Sequence, residues 1–195
     1  MTQLITPSGR APTTIYINYF DGISEPKVKT LMSVCAEVID KTKPDVLYFC
    51  FSSPGGSVSA GITLYSFLRG LPVKIVMHNT GSTDSIATAV FLSGDERYAC
   101  PHSTFLFHGV NMNVEQGASL SLTTLREVMS SVEQDENKIA RILTDRSSLS
   151  EDEVRRLFRE GESKPPVFAE SKGIVHAIRD LAIPKDAMLI SLNMQ

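Results

Sequence analysis

The sequence predicts an α/β fold in which strands and helices alternate and crossover connections join successive strands. Three observations support this prediction. Short apolar runs, such as residues 46–51, alternate with longer amphipathic stretches. Glycine- and proline-containing turns separate these segments. The chain has 195 residues, of which 42% are hydrophobic and 21% charged, which is enough for one globular domain with its own core.

In the first half of the chain, three strands and three helices are predicted in alternation. The strands are expected at residues 14–18, 46–51 and 72–77, and the helices at residues 24–43, 58–68 and 85–92. The first helix begins with a capping Ser24, an acidic residue and an early proline, and Pro44 ends it. Residues 1–13 are polar and contain two prolines, so we expect a loose arm, followed by a single domain over residues 14–195.

In the second half, short strands are predicted at residues 97–100 and 104–107, followed by a long helix from about 118 to 143. The apolar positions of the long helix are sparse: Leu125, Val128, Met129, Val132, Ile139 and Leu143. One domain of this size would bury such a helix poorly, so the helix either packs against another subunit or lies on the surface with one buried stripe. A further helix over 148–159 carries a capping box at Ser150 and Glu153.

Composition excludes several classes of function. A net charge of -3 argues against a nucleic-acid or polybasic membrane role, and no run of 18 apolar residues predicts a spanning helix. Three cysteines, Cys35, Cys50 and Cys100, lie in apolar settings and predict buried thiols in a reducing compartment, hence the cytoplasm. The sequence has no phosphate-binding loop, and His102 and His108 have poor metal-binding spacing. No metal or cofactor is therefore predicted.

Three segments together predict acyl-transfer chemistry. Ser85 lies at a turn before an apolar helix, where backbone N–H groups favour a developing negative charge. His108 ends an apolar strand, and a serine with a histidine forms two parts of a serine hydrolase. Ser53-Pro-Gly-Gly56 follows a buried strand, where glycines can expose N–H donors to an oxyanion. The alternatives are an ordinary helix cap, a strand end and a plain turn.

With these segments in this order, residues 15–178 resemble the proteolytic subunit of the Clp protease, within the crotonase-like superfamily. Ser85 falls on the nucleophile, nine residues before Gly94, and His108 falls on the general base. Residues 117–127 match the start of the helix that joins two rings, and residues 169–175 match the segment that closes the domain. The resemblance implies a spiral of β-β-α units with a protruding long helix. It also implies an oxyanion hole formed by the N–H groups of Gly55 and Ile86.

The chain departs from the family pattern at several positions. The family's Met-Gly after the nucleophile is Ile86-Ala87 here, and its Gln-Pro after the base is Gly109-Val110. The catalytic aspartate falls on Gly161, which has no side chain. Either neighbouring glutamate, Glu160 or Glu162, could supply the acid, or both could lie in a solvated loop. Glu162 is the predicted third catalytic residue because it opens residues 162–166, which replace the family's acid-bearing segment.

The resemblance implies a serine endopeptidase that cleaves peptides or unfolded proteins inside a homo-oligomeric ring or double ring. The chain reaches its first strand roughly twenty residues sooner than family members do, so docking of an unfolding ATPase is left open. One alternative is a weakly active or inactive ring subunit that has lost the acid. The other is a crotonase-like enzyme acting on an acyl-CoA thioester, whose oxyanion loops share this layout.

Overall fold

The structure is a computed structural model that describes residues 13–112, 119 and 121–192. Its strands are β1 (Thr14–Phe20), β2 (Val46–Ser53), β3 (Lys74–Asp84), β4 (Glu96–Ala99), β5 (Thr104–Leu106), β6 (Ser163–Lys164), β7 (Ala177–Ile178) and β8 (Met188–Ser191). Its helices are α1 (Glu25–Thr42), α2 (Val58–Gly70), α3 (Ile86–Phe91), α4 (Leu122–Arg146), α5 (Glu151–Glu160) and α6 (Pro166–Ser171). All predicted elements are present, and the α/β prediction is confirmed.

The eight strands form one sheet in the order β6-β5-β3-β2-β1-β8, with β4 and β7 continuing from β3 on a separate branch. The pairs are parallel except for β5 with β6. Every residue of β2 is buried, as expected for a central parallel strand that is covered on both faces. The third strand is longer than predicted, because β3 continues through polar residues. Its last residue is Asp84, immediately before Ser85.

The main core lies where the helices pack against the sheet. Its largest fully buried side chains include the aromatic residues Tyr19, Phe49, Phe51, Phe91, Phe105 and Phe107. A smaller cluster on the opposite face contains Tyr16 and Tyr48. Here the buried His78 ring forms a hydrogen bond of 2.7 Å with the Tyr48 hydroxyl and one of 3.0 Å with the Arg179 carbonyl. His78 therefore has a packing role, as its apolar sequence neighbours predict.

The helix termini agree only partly with the predictions. Ser150 and Glu153 form both hydrogen bonds of the predicted capping box at the start of α5. Ser24 occupies the N-cap position of α1, but its side chain makes no capping hydrogen bond. The helix instead begins with Pro26 in its first turn, where proline needs no hydrogen-bond acceptor.

The long helix α4 begins at Leu122, and the predicted start at residue 118 lies outside the described residues. Ser121 caps it by accepting a hydrogen bond of 3.1 Å from the Thr124 N–H. Only its second half is buried in the core, through Ile139, Ala140 and Leu143. The domain covers the predicted apolar positions in that half, while the first half of the helix leaves large apolar side chains exposed.

The predicted arm at residues 1–13 lies almost wholly outside the described residues, and the single domain over residues 14–195 stays a prediction. The sequence did not predict β6, α6, β7 and β8, which have two to six residues each and are too short for a periodic pattern. In the part of the chain that the structure describes, no helix is long and apolar enough to span a membrane.

Candidate active site

Ser85 occupies a strained turn between β3 and α3. Its φ and ψ angles are 58° and −132°, a region that only glycine adopts easily. The Ser85 N–H donates a hydrogen bond of 2.9 Å to the carbonyl of Leu106, which fixes the turn against β5. The side chain of Ser85 makes no capping hydrogen bond to α3. The hydroxyl is therefore not used as a helix cap, which was the alternative interpretation of this residue.

The two-glycine loop after β2 contacts the nucleophile turn. Gly55 and Gly56 have φ angles of 88° and 145°. A Cβ atom at Gly55 would lie 2.7 Å from the Cβ atom of Ser85 and 2.7 Å from the carbonyl oxygen of Asp84. At Gly56 it would lie 2.2 Å from the carbonyl oxygen of Ile23. Both glycines are therefore required by close backbone approach as well as by φ.

The two predicted oxyanion donors differ in their hydrogen bonding. Ile86 is the first residue of α3, and the first N–H groups of a helix have no acceptor within the helix. The N–H of Gly55 donates to the Ser53 hydroxyl over a long 3.2 Å, so it would have to exchange that partner for a substrate oxygen. Both N–H groups belong to residues that flank or contact Ser85, where an oxyanion would form.

The pairing of two strands brings His108 to the same end of the sheet as Ser85. Strand β5 pairs with β3 so that Leu106 lies opposite Asp84, and His108 follows two residues later. The Nδ1 atom of His108 lies 2.6 Å from the carbonyl oxygen of Gly109. A carbonyl can only accept, so Nδ1 carries a proton, and in the neutral imidazole Nε2 is then the nitrogen with the free lone pair. This is the tautomer that a general base requires.

Among the described residues, no hydrogen bond joins the Ser85 hydroxyl to His108. Such bonds are often long in a free enzyme and tighten when the substrate binds. Asp84, the last residue of β3, interacts electrostatically with His108. Burial raises the pKa of the Asp84 carboxyl, and hydrogen bonds with Ser82 and the Leu106 backbone oppose this effect.

The predicted third catalytic residue lies near the base, but its carboxylate is turned elsewhere. Ser163 in β6 lies opposite Leu106 in β5, which brings the neighbouring Glu162 to the edge of the sheet where His108 lies. The Glu162 carboxylate accepts a hydrogen bond of 2.9 Å from Lys164, and Glu160 accepts one of 3.1 Å from the same ammonium. The assignment of Glu162 as the third residue stays a prediction.

Glu136 of α4 is a residue that sequence reasoning missed. Its Oε1 atom accepts a hydrogen bond of 3.0 Å from the Val110 N–H, two residues after His108. The preceding Gly109 N–H donates to the Phe158 carbonyl over 3.1 Å. No local signal identifies Glu136, because it lies 28 residues from His108 in a helix rich in charged residues. The available signal was the unusual Gly109-Val110 pair itself.

The cysteines are poor candidates for the nucleophile. Cys35 and Cys50 are buried and Cys100 is half-buried, all as free thiols. Burial raises the pKa of the Cys35 thiol to about 12 and that of Cys50 to about 11, so neither forms a thiolate readily. Over the described residues, no cluster of three histidine, cysteine or acidic side chains could hold a metal ion.

The fold and the site together define an α/β protein whose candidate nucleophile lies on a strand-to-helix turn beside a two-glycine loop. The model of the Clp protease family matches residues 14–180, and the chain belongs to that family. The sequence-based recognition is therefore confirmed.

Individual relatives are more distant. The chain is 29% identical over 116 residues to an ATP-dependent Clp protease proteolytic subunit of Bigelowiella natans, covering 58% of this chain and 55% of the relative. It is 26% identical over 110 residues to proteolytic subunit 2 of Pseudomonas aeruginosa, covering 55% and 54%. The match thus spans about half the length of these relatives.

Among solved structures, a mutant of ClpP1 from Listeria monocytogenes superimposes with a TM-score of 0.72 and covers 86% of this chain and 91% of its own. At 15% identity this likeness concerns the fold, and it confirms the predicted Clp-protease-like architecture.

Proposed function

We propose that the protein is a serine peptidase in which Ser85 attacks a peptide carbonyl. The observation that carries the proposal is the strained Ser85 turn, with a hydroxyl that caps no helix and with Gly55 in direct contact. Backbone strain at such a position costs about 1–3 kcal/mol and persists where the surrounding structure enforces it, often at active sites. Membership of the Clp protease family supports the same reaction.

The residues divide the reaction between them. Nε2 of His108 takes the proton as Ser85 Oγ bonds to the carbonyl carbon, and the N–H groups of Gly55 and Ile86 bind the resulting oxyanion. His108 then gives the proton to the leaving amine as the peptide C–N bond breaks. Water, activated by the same imidazole, hydrolyses the acyl-serine and restores the free hydroxyl.

The orienting group of His108 is the remaining part of this mechanism. The sequence nominates Glu162, whose carboxylate would have to leave Lys164 to reach His108. In the structure, the Gly109 carbonyl accepts from the imidazole at Nδ1. Ser85 and His108 can therefore act as a pair in which a backbone carbonyl orients the imidazole. A carboxylate would add its charge to this arrangement.

Assembly and compartment form part of the proposal. The exposed apolar side chains on the first half of α4 support a homo-oligomer, and a ring or double ring is the form that family membership favours. The names of the relatives describe ATP-dependent proteolytic subunits, which supports cooperation with an unfolding ATPase. The three free cysteines favour the cytoplasm.

Labelling with a fluorophosphonate tests the nucleophile. Ser85 Oγ should bond to the phosphorus with loss of fluoride, and peptide mass spectrometry should place the adduct on Ser85. Ser85→Ala should abolish labelling, whereas Ser66→Ala, at an exposed serine of α2, should not change it. An unlabelled wild-type chain would favour the inactive ring subunit. Hydrolysis of an acyl-CoA thioester by that unlabelled chain would favour the crotonase-like enzyme.

A further inference from the structure

We propose that Glu136 is a positioning residue for His108 and acts through the peptide group that joins Gly109 to Val110. This inference rests on the serine peptidase proposed above, and it adds a carboxylate that neither the sequence analysis nor family membership assigns. Glu136 does not touch the reacting atoms. It holds and polarises the group that orients the base.

A single peptide group connects His108 with Glu136. The imidazole Nδ1–H of His108 donates to the Gly109 carbonyl over 2.6 Å. The N–H of the same peptide group belongs to Val110 and donates to Oε1 of Glu136 over 3.0 Å. The imidazole and the carboxylate thus bind opposite sides of a single amide. Hydrogen bonds in such a chain polarise one another, so an anion at the N–H strengthens the carbonyl as an acceptor.

Two features of the local sequence make this contact possible. A proline at position 110 would have no N–H to donate, and Val110 supplies one. A Cβ atom at Gly109 would lie 2.7 Å from Oε1 of Glu136, so any larger residue would push the carboxylate away. These are the positions where the chain carries Gly-Val in place of the family's Gln-Pro. At the family's acid position, Gly161 has no side chain.

Surrounding helices hold the carboxylate in place. Nη1 of Arg155 in α5 lies 3.8 Å from Oε2 of Glu136, and both side chains are largely shielded, with 29% and 28% of their surface exposed. Arg155 also contacts Glu151 on its own helix and Asn137 on α4. A carboxylate fixed from two sides loses little further freedom when it supports the peptide.

Other charged groups near His108 have hydrogen-bond and ion-pair partners that do not link them to the imidazole through hydrogen bonds. Asp84 at the end of β3 interacts with His108 electrostatically, and its nearest hydrogen-bond partners are Ser82 and the Leu106 backbone. Glu160 and Glu162, at the end of α5 and before β6, share the ammonium of Lys164. Glu136 differs from these groups because it is linked to the imidazole by a continuous path of hydrogen bonds.

The expected role follows from the charge that forms during the reaction. When Nε2 accepts the serine proton, the imidazole becomes a cation, and the negative charge of Glu136 stabilises it through the aligned amide. Without that charge the imidazole is protonated less readily. Nucleophile activation then slows, and the acid limb of the pH profile moves to lower pH.

The test measures the rate of fluorophosphonate labelling of the full-length chain between about pH 5 and pH 9, where histidine titrates. Glu136→Gln keeps the size and an acceptor oxygen but removes the charge. It should slow labelling about threefold, the factor that corresponds to a shift of about 0.5 pH units, well below the roughly 10²- to 10⁴-fold contribution of a general base itself. It should also shift the acid limb down by about 0.5 pH units. Glu133→Gln, an exposed glutamate of the same helix, is the matched control and should change neither quantity.

A double-mutant cycle tests the path. Val110→Pro removes the N–H, so Glu136→Gln should have almost no further effect in that background. If Val110→Pro does not fold, as judged by circular dichroism, the pH profile of Glu136→Gln decides alone. An unchanged acid limb in Glu136→Gln would overturn the inference, even with slower labelling, because a purely structural role gives that result.

Two further outcomes distinguish a failure of the role of Glu136 from a failure of the proposed peptidase activity. If Glu162→Gln shifts the acid limb and Glu136→Gln does not, the sequence-based acid is correct and Glu136 is not the positioning residue. If the wild-type chain is not labelled at Ser85 at any pH, the proposed peptidase itself fails. Labelled wild type with an unresponsive Glu136→Gln rejects only the role of Glu136.

Discussion

Gly55 lies so close to Ser85 that a Cβ atom at Gly55 would be only 2.7 Å from the Cβ atom of Ser85. The contact joins the loop after β2 to the turn after β3, two segments that are about thirty residues apart in the sequence. It places a candidate oxyanion donor next to the candidate nucleophile. Because the two segments are so close, a displacement of the loop after β2 would also displace the turn that carries Ser85.

Gly55→Ala should therefore damage both stability and reactivity. The new methyl group would meet the Asp84 carbonyl oxygen at 2.7 Å, and the φ angle of 88° is unfavourable for alanine. We expect a loss of about 1–3 kcal/mol in the free energy of unfolding, measured in urea, and slower fluorophosphonate labelling. Gly70→Ala is the matched control, because a Cβ atom at Gly70 would meet nothing within 4 Å. Equal behaviour of the two variants would contradict the contact.

The backbone strain at Ser85 gives a second prediction, which concerns only the free energy of unfolding and not the reactivity. Ser85 has φ 58° and ψ −132°, which glycine adopts without a Cβ clash. Ser85→Gly should therefore be more stable than Ser85→Ala, by about 1 kcal/mol, although both lose the hydroxyl. That difference corresponds to roughly 2–4 °C in the melting temperature of a domain of this size. If the alanine variant is as stable as the glycine variant, the turn is not strained.

The sequence predicted the turn that carries Ser85 and the strand that precedes His108 better than it predicted their surroundings. The continuous apolar run of β2 is typical of a buried parallel strand, and shorter apolar segments predict β1, β3, β4 and β5. The Ser85 and His108 positions follow from the ends of those strands. Nothing local could show that β3 continues to Asp84, because its last residues are polar and their pairing partners come from β2 and β5. The register of these strands depends on contacts between distant segments, which the local sequence does not show.

A carboxylate that could orient His108 is harder to predict, because its identity depends on which side chains meet in space. Residues 160–162 were chosen by counting along the chain, and the structure shows both glutamates paired with Lys164. Glu136 belongs to a different helix and accepts a hydrogen bond from the Val110 N–H, and the Gly109-Val110 pair alone does not reveal which side chain binds there. Contacts between distant segments through one amide are invisible to periodicity and motif spacing.

The capping box of α5 predicts a pH-dependent contribution to stability. Hydrogen bonds from Lys172, first, and from the Ser150 backbone lower the pKa of Glu153 to about 2, from an ordinary value of 4.5. The folded pKa lies below the unfolded one, so the stabilisation is complete above about pH 4.5 and is lost as the pH falls towards 2. Glu153→Gln should thus melt below the wild type at pH 7.

This melting-temperature difference should shrink between pH 4.5 and pH 2 and disappear at the lower end. Asp152→Asn, in the same helical turn, serves as the control and should show a smaller difference at neutral pH. A difference between wild type and Glu153→Gln that stays constant down to pH 2 would mean that the carboxylate charge is not what stabilises the cap. Scanning calorimetry at several pH values provides the measurement.

The first half of α4 predicts how subunits associate. Leu125 and Met129 are 41% and 60% exposed, one helical turn apart, and this part of the helix is not covered by the domain. If this face packs against another copy, Leu125→Glu with Met129→Glu should split the assembly into smaller species. Burial of such side chains contributes roughly 1.5–3 kcal/mol each, so two lost per subunit should be visible at micromolar concentration. Ser131→Glu, an exposed polar position on another side of the same helix, should leave the assembly intact. Sedimentation velocity distinguishes the outcomes. A wild-type chain that sediments as a monomer would contradict the proposed ring. An oligomer that the double variant leaves unchanged would show that the interface lies elsewhere.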